Sequence, residues 1–216
     1  MVFKTSDPII KRLGAAAVTY DLSRLHETTI TLPVGTTWSS GLHWHETHDE
    51  TLRVIRGSIR VRLGEEVFIL DAGQEARVHK FVRHEWSRAQ MSEGEDVIVI
   101  ETTEPRDEEK QLFFWNLNGI ILTAAGRGII ADLFLTVRLF VIFQHLDNWP
   151  ILLDLSSCRP YLNETMAFTI ESFVTHCVLS FVALFASVFG YHAVNEQFTP
   201  SYLLESWKNR ESVKIK

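Results

Sequence analysis

Between Gly41 and Glu50 the chain reads Gly-Leu-His-Trp-His-Glu-Thr-His-Asp-Glu. Three histidines and three carboxylates fall within the eight residues from His43 to Glu50, although the whole chain holds only nine histidines. His43 and His45 stand at i and i+2, a spacing that turns both imidazoles to one face of a β-strand. Two imidazoles and a carboxylate aimed into one cavity make a ligand set for a divalent transition metal. The competing reading of the same residues is a polar, solvated loop.

The elements around this cluster must position it. From Val18 to about Trp115 the pattern is of short β segments divided by turns. Thr28–Leu32, Thr51–Ile55, Ile59–Leu63, Val67–Leu70, Glu75–His79, His84–Ala89 and Asp96–Glu101 are the predicted strands, with turn signals at Pro33-Val-Gly35, Arg56-Gly-Ser58, Gly64-Glu-Glu66 and Asp71-Ala-Gly73. Strands this short and this evenly spaced point to a β-sandwich or small barrel. Glu101–Lys110 is charged and contains Pro105, so it ends the strand series and leads to a helix near Asp107. Leu112–Gly119 is too apolar for a free linker and is expected against the barrel.

The spacing carries further. After His43-x-His45 come four residues, Glu50, six residues and Gly57; later, Gly73 is followed by five residues, His79-Lys-Phe81, two residues and His84. In these positions the chain resembles the cupin family. The family's first motif is filled at every position. In its second motif Gly73 and His84 match, whereas His79 stands for Pro, Phe81 for Gly and Arg88 for Asn. The resemblance covers residues 15–117 and implies a mainly β, jelly-roll-like cupin barrel, with 118–216 a helical extension that has no counterpart in a minimal cupin. It implies one divalent metal held by His43, His45, Glu50 and His84, with Fe(II) the first candidate and Mn, Ni, Cu or Zn open. Nearby residues are read as follows: His79 as a pocket-facing proton donor, Trp86 as lining the pocket, and Trp44 as packing on the outer face. Glu46, His48 and Asp49 are expected to be bystanders, and Arg53 and Arg77 surface charges.

Composition excludes some roles. The net charge is −6, and the cluster Arg53, Arg56, Arg60, Arg62 alternates with apolar strand residues, so no nucleic-acid surface is expected. Cys158 and Cys177 form no CxxC pattern, which argues against a disulfide framework or a cysteine metal site. Met1–Pro8 holds no apolar core of a secretory signal, which favours a cytosolic chain. No Gly-x-Ser-x-Gly elbow, phosphate-binding glycine loop or dinucleotide fingerprint is present.

The extension is far more apolar than the barrel region. Ile129–Leu146 is broken only by Asp132, Arg138, Gln144 and His145, and Asp147-Asn-Trp-Pro150 ends it. Ser172–Asn195 runs 24 residues without Lys, Arg, Asp or Glu. As a helix it would reach roughly 36 Å, enough for a bilayer core of ~30 Å. The expectation is therefore a membrane-associated protein anchored by residues 172–195, with a weaker segment at 129–146 and the barrel in the cytosol. A buried helical hairpin on a soluble cytoplasmic barrel is the alternative. Charge on the flanks, −2 over Asp147–Met166 and +1 over Glu196–Lys216, fits a cytosolic tail.

The resemblance, and its likeness to small cupins of fungal natural-product pathways, implies a metal-dependent oxidoreductase that tailors a small apolar, aromatic polyketide-type intermediate. Two other classes remain open: a non-redox isomerase, cyclase or dehydratase using the metal as a Lewis acid, and a non-enzymatic ligand-binding or scaffold cupin. A small-molecule substrate is the expected partner, and pairing into a homodimer is left open.

Overall fold

The structure is a computed structural model that describes residues 3–90, 94–124, 128–158 and 161–214. Met1 and Val2, Arg159 of the loop charge count and Lys216 of the tail lie outside them. Ten strands precede the helices: β1 (Ile9–Arg12), β2 (Val18–Asp21), β3 (Thr28–Leu32), β4 (His43–Trp44), β5 (Asp49–Arg56), β6 (Ser58–Leu63), β7 (Glu66–Asp71), β8 (Glu75–Val78), β9 (His84–Arg88) and β10 (Val97–Glu104). Then come α1 (Glu109–Thr123), α2 (Ile129–His145), β11 (Trp149–Pro150), a short 3₁₀ turn at Ser156–Cys158, α3 (Glu164–Val188) and α4 (Ser201–Lys214).

Two antiparallel sheets face each other. One has the order β1-β2-β3-β10-β5-β8, the other β11-β4-β9-β6-β7. Alternation decides which side chains go inside. On β5, Glu50, Leu52 and Val54 are buried while Arg53 is exposed; on β6, Ile59 and Val61 are buried while Arg60 is exposed. Ile30, Leu32, Leu52, Val54, Ile59, Val61, Trp86 and Val99 close the core between the sheets. Gly57 joins β5 to β6 at φ 70°, and a Cβ there would meet Val97 Cγ2 at 2.8 Å, so both conformation and space demand glycine.

The extension is joined to the barrel by more than its covalent link. β11 pairs with β4, Trp149 opposite Trp44 and Pro150 opposite His43. Thus residues beyond 118 complete a barrel sheet; β1 begins before residue 15, and α1 runs across residue 117. α1 is buried on most of its surface, from Gln111 to Ile120, because it lies between the barrel mouth and the other helices. At Gly119 a Cβ would fall 2.4 Å from Phe198, so glycine lets the segment leading into α4 press against α1.

α3 lies along the outer face of the second sheet. Its inward stripe is Ala167, Glu171, Thr175, Leu179, Ala183 and Ala186. Glu171 and Arg83 form a buried pair at 2.8 Å, and the Thr175 hydroxyl donates to the Pro150 carbonyl at 3.0 Å. Asn163, part of an Asn-x-Thr triplet, caps the helix by accepting from Met166 N at 2.8 Å. Two corrections follow. The apolar run 172–195 is helical only as far as Val188, because the chain turns at Gly190, where φ is 73°. The helix also begins at Glu164 and so includes Glu171, whose charge is pinned to the barrel. α3 is nonetheless long and apolar enough to cross a membrane, with a mean hydropathy of 1.7. α2 does not meet that measure among the described residues. Both cysteines are free and exposed.

Candidate functional site

β4 and β9 bring His43 and His84 opposite each other in register. His45 follows β4 with the same parity, and the three imidazoles converge, all buried, with ligand atoms within 4.8 Å of one another. Each ring is held from behind by a backbone carbonyl. His43 Nδ1 meets Gly41 O at 2.8 Å, His84 Nδ1 meets Val82 O at 3.0 Å, and His45 Nδ1 meets the carbonyl of Asp147. A ring that donates its Nδ1 hydrogen to a carbonyl keeps its lone pair on Nε2. His45 Nε2 and His84 Nε2 are buried and have no hydrogen-bond partner. Burial, with His84 and His45 alongside, also lowers the His43 pKa well below the usual histidine value, so that ring is neutral.

Glu50 enters from the opposite sheet as the first inward residue of β5. Its Oε2 lies 3.3 Å from His45 Nε2 and its Oε1 3.5 Å from His84 Nε2. Neighbouring ligands of an ion with bonds of about 2.1 Å stand ~3 Å apart, so this set fits a divalent transition metal. Burial opposes the charge of Glu50, but the ammonium of Lys110 beside it, with His45 and His84 adjacent, holds its carboxyl well below the usual range. Lys110 comes from α1 and also meets Glu101 at 3.1 Å. Burial disfavours its charge too, yet Glu101 and Glu50 outweigh that and raise its pKa. Glu101 accepts from Trp86 Nε1 at 2.8 Å, and burial pushes its pKa up.

Above these groups lies a cavity of about 220 Å³. Its polar end holds Tyr20, His43, Glu50, Glu101 and Lys110, and its apolar roof is built by Phe113, Phe114, Leu117, Leu139 and Phe143 of α1 and α2. The extension therefore closes the barrel mouth with aromatic and aliphatic side chains.

A family model for the cupin domain matches residues 28–100, a span holding all four of His43, His45, Glu50 and His84. The barrel is a cupin domain. No curated protein matches the sequence. Among solved structures the chain is similar to a predicted oxalate decarboxylase from Thermotoga maritima, at 18% identity over 48% of this chain and 97% of that one, with a TM-score of 0.37. It is also similar to KdgF from Halomonas sp., at 17% identity over 49% of this chain and 94% of that one, with a TM-score of 0.35. The cupin domain of CENP-C from Drosophila melanogaster aligns at 13% identity over 44% of this chain and 72% of that one, with a TM-score of 0.34.

The cupin's surroundings correct several expectations. His79 does not reach the cavity. The β8 alternation sends Ala76 and Val78 inward, so His79 points out, mostly exposed, with Nδ1 3.2 Å from Asp49. Asp49 also accepts from Lys80 N at 3.0 Å and from Arg77 at 2.8 Å. These contacts, the Lys80 amide foremost, lower its pKa to about 2. Glu46 is no solvated bystander: it accepts from Trp44 Nε1 at 3.0 Å and meets His176 of α3 at 2.8 Å. Trp86 sits beneath the cavity and anchors Glu101. Trp44 packs on the outer face as expected, against Trp149 and Phe168.

His48 changes most. It is buried between Asp147, at 2.8 Å, and Asp107, at 3.1 Å. Burial works against its charge, but hydrogen bonds to the two carboxylates raise its pKa to about 9. Asp147 is the hub. Its carboxylate accepts from the backbone N of Glu46 (2.7 Å), Thr47 (3.0 Å) and His48 (3.1 Å), and its carbonyl orients His45. The second-motif departures are also explained. Phe81 takes φ 65°, the left-handed conformation for which the family's glycine is suited. Arg88 donates to the carbonyls of Leu32, Glu95 and Gln90, binding strand ends together. Sequence reasoning missed Lys110, Tyr20, Glu101 and Asp147, since none lies within the motif spacing.

Proposed function

We propose that the protein is a metal-dependent cupin oxidoreductase, its ion held by His43, His45, Glu50 and His84, and that it oxidises a small apolar, aromatic polyketide-type molecule. The single observation that carries this reading is the set of three carbonyl-tethered imidazoles whose Nε2 atoms converge beside the Glu50 carboxylate. When bound, Fe(II) would supply a meeting point for O₂ and an enol or phenol. The chain's own contributions are distinct. Lys110 keeps Glu50 ionised, the Gly41, Val82 and Asp147 carbonyls aim the rings, and the α1–α2 roof excludes water from the aromatic cavity. In this reading residues 15–117 supply most of the chemistry, and 118–216 close the mouth and reach a membrane.

A non-redox reading has one observation in its favour: Lys110 and Glu101, a buried proton donor and acceptor pair, line the same cavity. Elemental analysis of purified wild type beside His84→Ala, with oxygen uptake on phenolic substrates, separates the cases. We expect stoichiometric iron and uptake in the wild type and neither in the variant. Turnover that persists without O₂, or with Zn(II) in place of iron, would favour the non-redox reading. Wild-type protein free of any transition metal would end both enzyme readings and leave a ligand-binding or scaffold cupin.

We also propose that the outer face of α3 contacts a membrane from the cytosolic side. Phe173, Phe181, Leu184, Phe185 and Val188 expose a continuous apolar stripe, and Ile129, Ile130, Leu133 and Phe134 of α2 are exposed as well. With Glu171 tied to Arg83, the helix lies on the barrel and presents one side to lipid. Flotation with anionic vesicles should carry the wild type and leave behind a Phe181→Ser/Phe185→Ser variant. A wild type that stays at the bottom as a dimer would assign the stripe to self-association instead.

A further inference from the structure

The cavity's far end, away from the histidines, contains two hydrogen-bond donors with nothing to donate to. Tyr20 is almost fully buried and lines the cavity. Its hydroxyl oxygen accepts from Arg12 Nη2 at 2.7 Å and from Trp38 Nε1 at 3.1 Å. Both neighbours are donors, so the Tyr20 hydrogen is left over, and among the described residues no acceptor takes it. Arg12 lines the same cavity, and its buried Nε has no hydrogen-bond partner. No carboxylate lies within ion-pair distance of Arg12 among the described residues; its guanidinium rests over the Tyr20 ring, 5.2 Å from the centroid. A buried donor without an acceptor costs about 1–3 kcal/mol, which makes two of them at one wall a site built for an acceptor group.

Charge and shape define the acceptor. Lys110 is already matched by Glu50 and Glu101. The Arg12 charge is therefore surplus, and a divalent ion at the histidines would make the cavity more positive still. A guanidinium and a phenol side by side suit a planar anion. The remaining wall is aromatic and aliphatic, and at about 220 Å³ the space is below the ~300–1,000 Å³ of pockets for drug-sized ligands. Arg12 also stands at the threshold, because it, Trp38, Ser39 and Ile121 line an open groove outside the cavity as well.

We infer that Arg12 and Tyr20 form a carboxylate clamp, and that the cavity takes a small aromatic acid with its carboxylate at β1–β2 and its apolar body under α1 and α2. This names the substrate class for the site proposed above and rests on that reading only for what happens at the histidine end. Arg12 and Tyr20 both precede the residues matched by the cupin model, so the clamp belongs to this chain's own additions. Tyr20 stays protonated as the role requires, since burial pushes its pKa up to about 12.

The test uses trans-cinnamate and its neutral amide as probes, titrated calorimetrically into chelator-treated and Zn(II)-loaded full-length protein. We expect cinnamate to bind about tenfold or more tighter than the amide in both forms. Arg12→Gln should erase that preference while leaving amide binding unchanged, and Arg12→Lys should keep part of it. Tyr20→Phe should weaken cinnamate selectively. Equal affinity for the two probes, no binding of either, or a preference that survives Arg12→Gln would overturn the clamp. A preference seen only with Zn(II) bound, and lost in His84→Ala, would place the carboxylate on the metal; the clamp then fails while the metal reading stands. A preference that persists in protein unable to hold metal supports the clamp while the metal reading fails.

Discussion

The barrel and the extension reach the site by different means. The barrel supplies His43, His45, Glu50 and His84 through short-range alternation, each from a strand or its edge. The extension supplies Lys110, the Asp147 hub and the apolar roof, all from residues distant in sequence from the histidines. A sheet places its side chains by parity, so ligands separated by two residues share a face whatever surrounds them. A helix that closes a barrel acts through contacts fixed only when both are folded. The ligands are thus cheap to specify locally, and their orientation and charge depend on the extension.

The contrast can be broken most forcefully at the join. Glu171→Ala should leave Arg83 buried and unpaired and cost about 3–5 kcal/mol, whereas Arg83→Met/Glu171→Leu should come close to wild type. Urea unfolding of the three proteins measures this; an unaffected Glu171→Ala would mean that α3 is not docked as described. Next in size, His84→Ala should reduce metal affinity by more than the ~10–100-fold typical of losing an outer partner. Competition with a chromogenic chelator gives the value, and unchanged affinity would remove His84 from the site.

Asp147→Asn probes the extension's share with the left-handed backbone preserved, since asparagine tolerates the φ of 49°. Metal affinity should fall about tenfold through loss of order in the 45–48 segment. If Asp147→Asn costs as much as His84→Ala, the division between ligands and their support is not real.

His48 adds a pH-dependent component. Its folded pKa, about 9, exceeds the ordinary 6.5, so its contribution is complete below 6.5 and is lost as pH rises through 9. Denaturation midpoints should fall by about 1 kcal/mol over that window, allowing for solvent at the cluster's edge, and His48→Asn should flatten the decline. A wild-type profile that is flat or rising there would contradict a charged His48. The smallest effect is expected at Phe81, where glycine relieves the left-handed backbone at some entropic cost. Phe81→Gly should raise stability by about 0.5–1 kcal/mol, read as a small increase in Tm.

Much of this was legible in the chain. Strict alternation in Ile59–Leu63 announced a strand with Val61 inside and Arg60 outside, and the His-x-His, Glu, Gly spacing located the ligand cluster together with His84. His79 was misread because its neighbour Val78 takes the inward position, so its own ring must face out. His48 looked like a loop residue because its two carboxylate partners, Asp107 and Asp147, are 59 and 99 residues away.

What the sequence determined by itself is local and periodic: a β barrel, the face each histidine occupies, and an apolar extension. Those follow from the two-residue repeat of a strand and from composition, which require no knowledge of what lies opposite. Only the tertiary structure decided which charges meet. It set Lys110 against Glu50, gave Asp147 to His45 and His48, left Arg12 and Tyr20 facing an empty wall of the cavity, and tied α3 to the barrel through Glu171. Each is a contact between segments far apart in the chain, and no spacing rule encodes such a meeting before the sheets and helices close around it.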